Sequence, residues 1–266
     1  MYKRVKFREQ FDERMLKDRQ KFFKTDFLLI ISLVMLVINL SLIVGLTSFN
    51  ILKWRVPPDA HRIVYIVFFY HVSGAWFAYF SFGVSLISHI LYLKNKKIKW
   101  SLLGKNSIIV GVFFTTFALI TGSLWYNSTS GGYRPNPEDY WQWSDPRQTM
   151  TLVLLMSYLA FLIFRSMIED KEKKAKLSAA LGIVLFPTVP LSYLSAIIFI
   201  SFHPSIIPDP SLANLVSYRD PVKIFILLFN LIAITILFFY LVQKLHHLDM
   251  EKEKLNEIIQ RKLMED

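Results

Sequence analysis

The chain contains no cysteine. That excludes a disulfide scaffold, a thiolate metal site and a redox dithiol. It also excludes a c-type haem attachment sequence, so the chain is not itself a c-type cytochrome. Charge is sparse as well: 19% of residues are Asp, Glu, Lys or Arg, against about a quarter in an average soluble domain. No G-x-x-x-x-G-K-[ST] phosphate loop is present, so any ATP acts on a partner. Internal repeats and low-complexity linkers are also missing.

What the chain has instead is apolar length. Of its 266 residues, 53% are hydrophobic and 15% aromatic. A helix needs about 20 apolar residues to cross the hydrocarbon core. Six segments qualify: Phe27–Leu46, Ile63–Leu93, Ser107–Tyr126, Gln148–Phe164, Leu177–Phe202 and Ile224–Val242. In lipid such runs must satisfy their own backbone hydrogen bonds, which makes them helices rather than strands. Ile63–Leu93 is too long for one perpendicular crossing and must tilt, bend or protrude. Pro187 and Pro190 should kink the fifth run. The expectation is an all-α, polytopic membrane helix bundle forming one domain over 1–266.

The net charge of +11 could suggest nucleic acid, but the Lys and Arg residues sit in the gaps between apolar runs. Their distribution sets orientation instead. Residues 1–25, 94–105, 165–176 and 244–266 hold 24 of the 31. Both termini are therefore expected in the cytoplasm, with outer loops near 47–62, 127–147 and 203–221. The first apolar run follows a highly charged stretch and is long enough to span, so it should remain as a helix rather than a cleaved signal. Residues 1–25 read as a cytoplasmic amphipathic segment, with Phe7, Phe11, Met15 and Phe22 at roughly helical spacing. Residues 244–266 read as a cytoplasmic extension of the last span, with partner docking by its apolar stripe as the alternative.

The loop at 127–147, with the Trp125-Tyr126 pair just before it, concentrates the chemistry. Trp125, Trp141 and Trp143 share this stretch with Tyr126, Tyr133, Tyr140, Arg134 and Arg147. An interfacial aromatic belt accounts for one or two such rings per helix end. It accounts less well for a cluster mixed with Asp and Arg. The run Tyr140-Trp141-Gln142-Trp143-Ser144-Asp145-Pro146-Arg147-Gln148-Thr149 resembles the tryptophan-rich "WWD" signature of the haem-handling proteins of cytochrome c biogenesis, which likewise leads into a transmembrane helix. Two departures are visible. Ser144 stands between the last Trp and the Asp, and the early Trp-Gly of the signature is missing. His71-Val72-Ser73-Gly74-Ala75-Trp76 is similar to the family's H-V-P-x-A-W segment, with Ser73 in place of Pro. His203 falls where the family has its second outward-facing histidine. The six-span length matches the cytochrome c maturation protein C branch.

The resemblance implies haem b held as cargo at the extracytoplasmic face. His71 and His203 would be its axial ligands. Tyr140, Trp141, Trp143, Trp76 and Trp125 would surround the macrocycle, with Asp145, Arg147 and Arg134 at its polar edge. The physics is coherent, since neutral imidazoles suit haem iron, indoles and phenols cover a flat apolar disc, and arginine clamps a propionate. Asp145 and Arg147 have a second reading as a helix-capping pair. Arg62 and Arg219 are further propionate candidates, although outer-loop arginines also bind lipid headgroups. Implied partners are haem, a membrane-anchored haem chaperone, an ATP-binding-cassette ATPase with membrane subunits, and membrane lipid, but no nucleic acid. The implied location is the plasma (inner) membrane. The implied role is a binding and transfer component rather than an enzyme. A haem lyase and a haem-unrelated transporter subunit are the alternatives.

The remaining histidines read as structural. His89 lies 18 positions beyond His71, about 27 Å along a helix, and cannot share its iron. It reads as a packing or snorkelling residue. His61 reads as solvated. His246 and His247 fall in the charged tail on the other side.

Overall fold

With no water to bond to, the apolar runs close their backbone hydrogen bonds internally, and each forms helix. The computed structural model describes residues 26–49, 63–129, 140–199 and 221–265. The amphipathic segment expected at 1–25 lies outside these residues, as do His61, Arg62, Arg134, His203 and Arg219. Seven helices occur among the described residues: α1 (Asp26–Ser48), α2 (Ile63–Asn95), α3 (Ile98–Thr129), α4 (Pro146–Met167), α5 (Lys171–Leu185), α6 (Thr188–Ile198) and α7 (Pro221–Glu265). Six stretches are long and apolar enough to cross a membrane, with α5 and α6 together forming one of them. The protein is an all-α, multi-pass integral membrane protein.

Local chemistry sets the boundaries. α3 begins at Ile98 rather than at the expected Ser107. Its charged first turns, with Lys99 and Lys105, continue the helix beyond the apolar run. Between α2 and α3 the backbone turns at Lys96, in the left-handed region at φ 54. The Lys96 amide donates to the Tyr92 carbonyl at 2.7 Å and closes the end of α2. The expected disturbance of the fifth span is an interruption at Phe186 and Pro187, two turn residues that keep right-handed helical backbone. α5 ends at Leu185, and Pro187 caps α6. Proline has no amide hydrogen and its ring crowds the preceding turn, so regular helix bonding is lost there. Pro190 falls in the first turn of α6, where a missing amide hydrogen costs nothing. The C-terminal tail continues the last span as one 45-residue helix, as its charge and apolar spacing predict.

Close helix approach positions the core. α2 and α3 form the central pair. Gly74 lies under the Phe117 ring and Gly111 under the Phe82 ring, where a side chain would collide. Phe82 stacks on Tyr158 of α4 at 3.8 Å between centroids. Phe77 meets Phe238 of α7 at 5.5 Å. Asn230 of α7 donates to the Phe69 carbonyl at 2.8 Å, and Tyr70 donates to the Leu36 carbonyl of α1 at 2.8 Å. His89 is fully buried. Its ring is wedged between Gly104 of α3 and Gly182 of α5 and tilts against Phe161 of α4 at 5.6 Å. The imidazole therefore packs four helices together.

The ion pairs collect at one end of the bundle. Lys105 pairs with Asp249, Lys171 with Glu253 at 2.7 Å and Lys244 with Asp26 at 3.1 Å. They tie the starts of α1, α3 and α5 to the tail of α7. Being partly exposed, each contributes about 0–1 kcal/mol, which makes them positional rather than stabilising. The basic connections thus share one end, as the positive-inside pattern requires of them.

An added methyl at Gly182 runs into the His89 ring, whereas Gly83 has nothing within 4 Å of its added carbon. Gly182→Ala should lower the thermal unfolding midpoint in detergent by an amount equivalent to about 1–3 kcal/mol, the usual cost of overpacking. Gly83→Ala should unfold close to wild type.

Candidate functional site: an aromatic cleft at the end away from the basic loops

The sequence Ser144-Asp145-Pro146 builds one wall of the site. Asp145 has extended backbone (φ −80, ψ 114) and caps α4, with Pro146 opening the helix. Its Oδ1 accepts from the Arg147 amide at 2.9 Å and the Gln148 amide at 3.1 Å. Those are two of the donors that a helix start leaves open. Gln148 and Thr149 reach back over the preceding residues. Gln148 Oε1 accepts from the Gln142 amide at 3.0 Å. Thr149 Oγ1 donates to the Trp143 carbonyl at 3.0 Å. The Asp145 amide donates to the Gln142 carbonyl at 2.9 Å, which closes a four-residue turn with Ser144 inside it.

Arg147 does not reach for Asp145. Its Nη1 donates to the Ser192 carbonyl at 3.0 Å and to the Tyr193 carbonyl at 2.9 Å, both on α6. The guanidinium lies over the rings of Tyr79 (5.7 Å) and Tyr193 (5.5 Å), which meet edge to face. Thr151 Oγ1 lies 3.2 Å from Ser192 Oγ. One arginine thus latches α2, α4 and α6 at this end. An arginine has five N–H donors, so those not held by α6 can still serve a ligand.

Beside the latch lies a small, partly open cleft of about 60 Å³. His71, Tyr79, Gly122, Trp125, Tyr126, Asp145 and Arg147 are among its lining residues. The wall between them is small or apolar, with Ala75, Ala78, Ala118 and Leu119. His71 is half-buried, and its Nδ1 lies 3.1 Å from Thr121 Oγ1 of α3.

Of the residues singled out in the sequence, the fold brings His71, Trp125, Asp145 and Arg147 to this cleft. Tyr140, Trp141 and Trp143 do not line it. They stand just before α4, with the two indoles edge to face at 5.5 Å. Trp143 is 73% exposed. Trp141 is half-buried, and its Nε1 is enclosed with no hydrogen-bond partner among the described residues. Trp76 is 57% exposed and is not brought to the cleft. Five positions after His71, it projects about 140° around the helix from it. His203 and Arg134 lie outside the described residues. Sequence reasoning missed Tyr79, Thr121, Gly122, Ser192 and Tyr193. A small or hydroxyl residue within an apolar run carries no local mark of a partner on another helix.

Fold and cleft together define a multi-pass membrane protein with a histidine and an arginine facing an aromatic site at one end of its bundle. The chain belongs to the heme exporter protein C (CcmC) family, whose profile it matches over residues 18–264. It is 31% identical over 125 residues to heme exporter protein C of Bradyrhizobium diazoefficiens, covering 47% of this chain and 44% of that one. It is 29% identical over 144 residues to a putative cytochrome c biosynthesis ccmC-like mitochondrial protein of Marchantia polymorpha, covering 52% and 57%. Heme exporter protein C of Paracoccus denitrificans is 29% identical over 118 residues, covering 44% and 46%. The chain spans about half the length of these curated relatives.

Removing the cap isolates its contribution. Asp145→Ala should destabilise the protein by about 0.5–2 kcal/mol, read as a lower unfolding midpoint with altered tryptophan emission. Asp145→Asn, which keeps an accepting oxygen, should recover most of the loss.

Proposed function

We propose that the protein binds haem b as cargo in this cleft and presents it at the extracytoplasmic face to a membrane-anchored haem chaperone of cytochrome c biogenesis. The observation that carries the reading is the donor set: an imidazole, two aromatic rings and a latched guanidinium facing one open cleft. Imidazole nitrogen binds haem iron, Trp125 and Tyr126 offer apolar faces to the macrocycle, and the remaining Arg147 donors suit a propionate. An open mouth suits a ligand that must leave. His71 supplies one axial ligand and His203 the other. Exposed Trp143 and half-buried Trp141, just before α4, would meet the disc or the chaperone.

The names of the relatives, heme exporter protein C, support haem as the cargo. In this reading the chain works in the plasma membrane with an ATP-binding-cassette ATPase and its membrane subunits. It binds and hands over haem, and bond formation to the apocytochrome falls to other proteins.

Absorption spectra of the purified protein test the reading. Wild type should carry a Soret band, and His71→Ala and His203→Ala should each lower haem affinity at least about tenfold, the smaller end of what even indirect ligand partners contribute. His246→Ala, in the tail at the opposite end, should retain haem. Unchanged occupancy in both ligand variants sinks the assignment. Orientation is tested separately, because the chain has no cysteine of its own. In intact cells, Ser144→Cys should react with a membrane-impermeant thiol reagent, while Lys97→Cys should react only after the membrane is opened.

A further inference from the structure

We propose that the exposed stripe of Leu248, Leu255 and Ile259 on the tail of α7 is the docking site of residues 1–25 of the same chain, which pack along it antiparallel. Residues 1–25 lie outside the described residues, and the proposal stands on the stripe, on its neighbour Asp26 and on the spacing of the sequence.

The tail is densely charged from Asp249 to Glu257, so it does not belong in a hydrocarbon core. One of its faces is occupied, since Asp249 meets Lys105 and Glu253 meets Lys171. Leu248, Leu255 and Ile259 lie on another face and are exposed. Together with Lys244 they fall within about 60° of arc on the helix. Covering such an apolar stripe where it meets water is favourable.

Lys244 indicates where the cover comes from. It pairs with Asp26 at 3.1 Å, so the chain that precedes α1 departs from the head of the stripe. Within the bundle α1 already runs antiparallel beside α7. Ile43 shares a buried cluster with Ile226, and Leu36 packs on the cluster that holds Ile234 and Phe238. Continued past Asp26 with the same rise per residue, that register brings Phe22 opposite Leu248, Met15 opposite Leu255 and Phe11 opposite Ile259. Steps of four, seven and four residues separate Asp26, Phe22, Met15 and Phe11. The same steps separate Lys244, Leu248, Leu255 and Ile259. Apolar positions spaced in this way make a two-helix seam. At its flanks Arg19 comes opposite Glu251 and Asp18 opposite Lys252. Residues 1–25 hold nine Lys and Arg against four Asp and Glu, whereas 244–266 hold five against six, so the two segments have opposite net sign. A lipid surface also accepts a basic amphipathic segment, but it does not require spacing that mirrors another helix.

The test uses the full chain in membranes, where the lack of native cysteine makes every disulfide assignable. Met15→Cys with Leu255→Cys should oxidise to a disulfide within one chain, read as a mobility shift in denaturing electrophoresis that reductant reverses. Phe7→Cys with Leu248→Cys, about 22 Å out of register along the seam, should stay unlinked. No link in the first pair overturns the proposal, as a segment seated on lipid would produce. Equal linking in both pairs overturns it as well, and so does a link between two chains, which would make a second copy the occupant. If the first pair does not assemble, Arg19→Cys with Glu251→Cys at the flank of the seam replaces it, with the same readings.

Discussion

The two hydrogen bonds that Asp145 accepts at the start of α4 fix more than one helix end. A helix entering the membrane region exposes open amide donors where water is scarce, and leaving them unmet is costly. The carboxylate meets two of them, and so determines which residue is the first of α4. Everything placed on the first turns follows from that choice. Arg147 lands facing α6 and the Tyr79 ring. Thr151, one turn on, lands beside Ser192. Gln148 and Thr149 face backward and hold the tryptophan segment. A helix starting one residue later would turn each of these by about 100° and dissolve the latch.

The latch joins α4 to α6, the second half of the fifth span. Beyond the interruption at Pro187, the Ser192 and Tyr193 carbonyls of α6 lie within reach of the guanidinium. At the opposite end a different device does the joining. Gly104 and Gly182 leave room for the His89 ring, and the imidazole fills the space between α2, α3, α4 and α5. Two histidines on one helix thus have opposite uses. His71 faces an open cleft, whereas His89 is sealed in protein.

The spans were legible because hydrocarbon demands length and low charge, and few sequences meet that demand by accident. The Pro187 interruption and the α4 start were legible because proline and a capping aspartate act locally. The start of α3 was not, since Lys99 and Lys105 look like loop charges until Asp249 is seen to pair with one of them. Within the site, His71, Trp125, Asp145 and Arg147 could be named from the motif. Their partners could not. Thr121 lies 50 positions from His71, and Tyr193 lies 46 from Arg147, distances at which no periodicity links residue types. Trp76 shows the converse. Motif adjacency grouped it with His71, but helical geometry turns it away.

Ser144 ties these points together. An additional residue between Trp143 and Asp145 must displace something: either the Asp–Pro–Arg block moves into the helix or the indoles move outward. The cap cannot move without giving up two hydrogen bonds and the arginine latch. Among the described residues, the indole segment is tethered by its backbone bonds with the Gln148 and Thr149 side chains and by contact between the two rings. Ser144 lies inside the turn from Gln142 to Asp145, on the tryptophan side of the cap. Polar anchoring is rigid and aromatic coverage is tolerant, because a hydrogen bond is lost over a few tenths of an ångström while a stacking face slides. The haem proposed above is a disc with a charged edge, and such a division would suit it: its edge and iron would need the fixed geometry that His71 and Arg147 receive from their helices, while its flat faces would tolerate displacement of the rings.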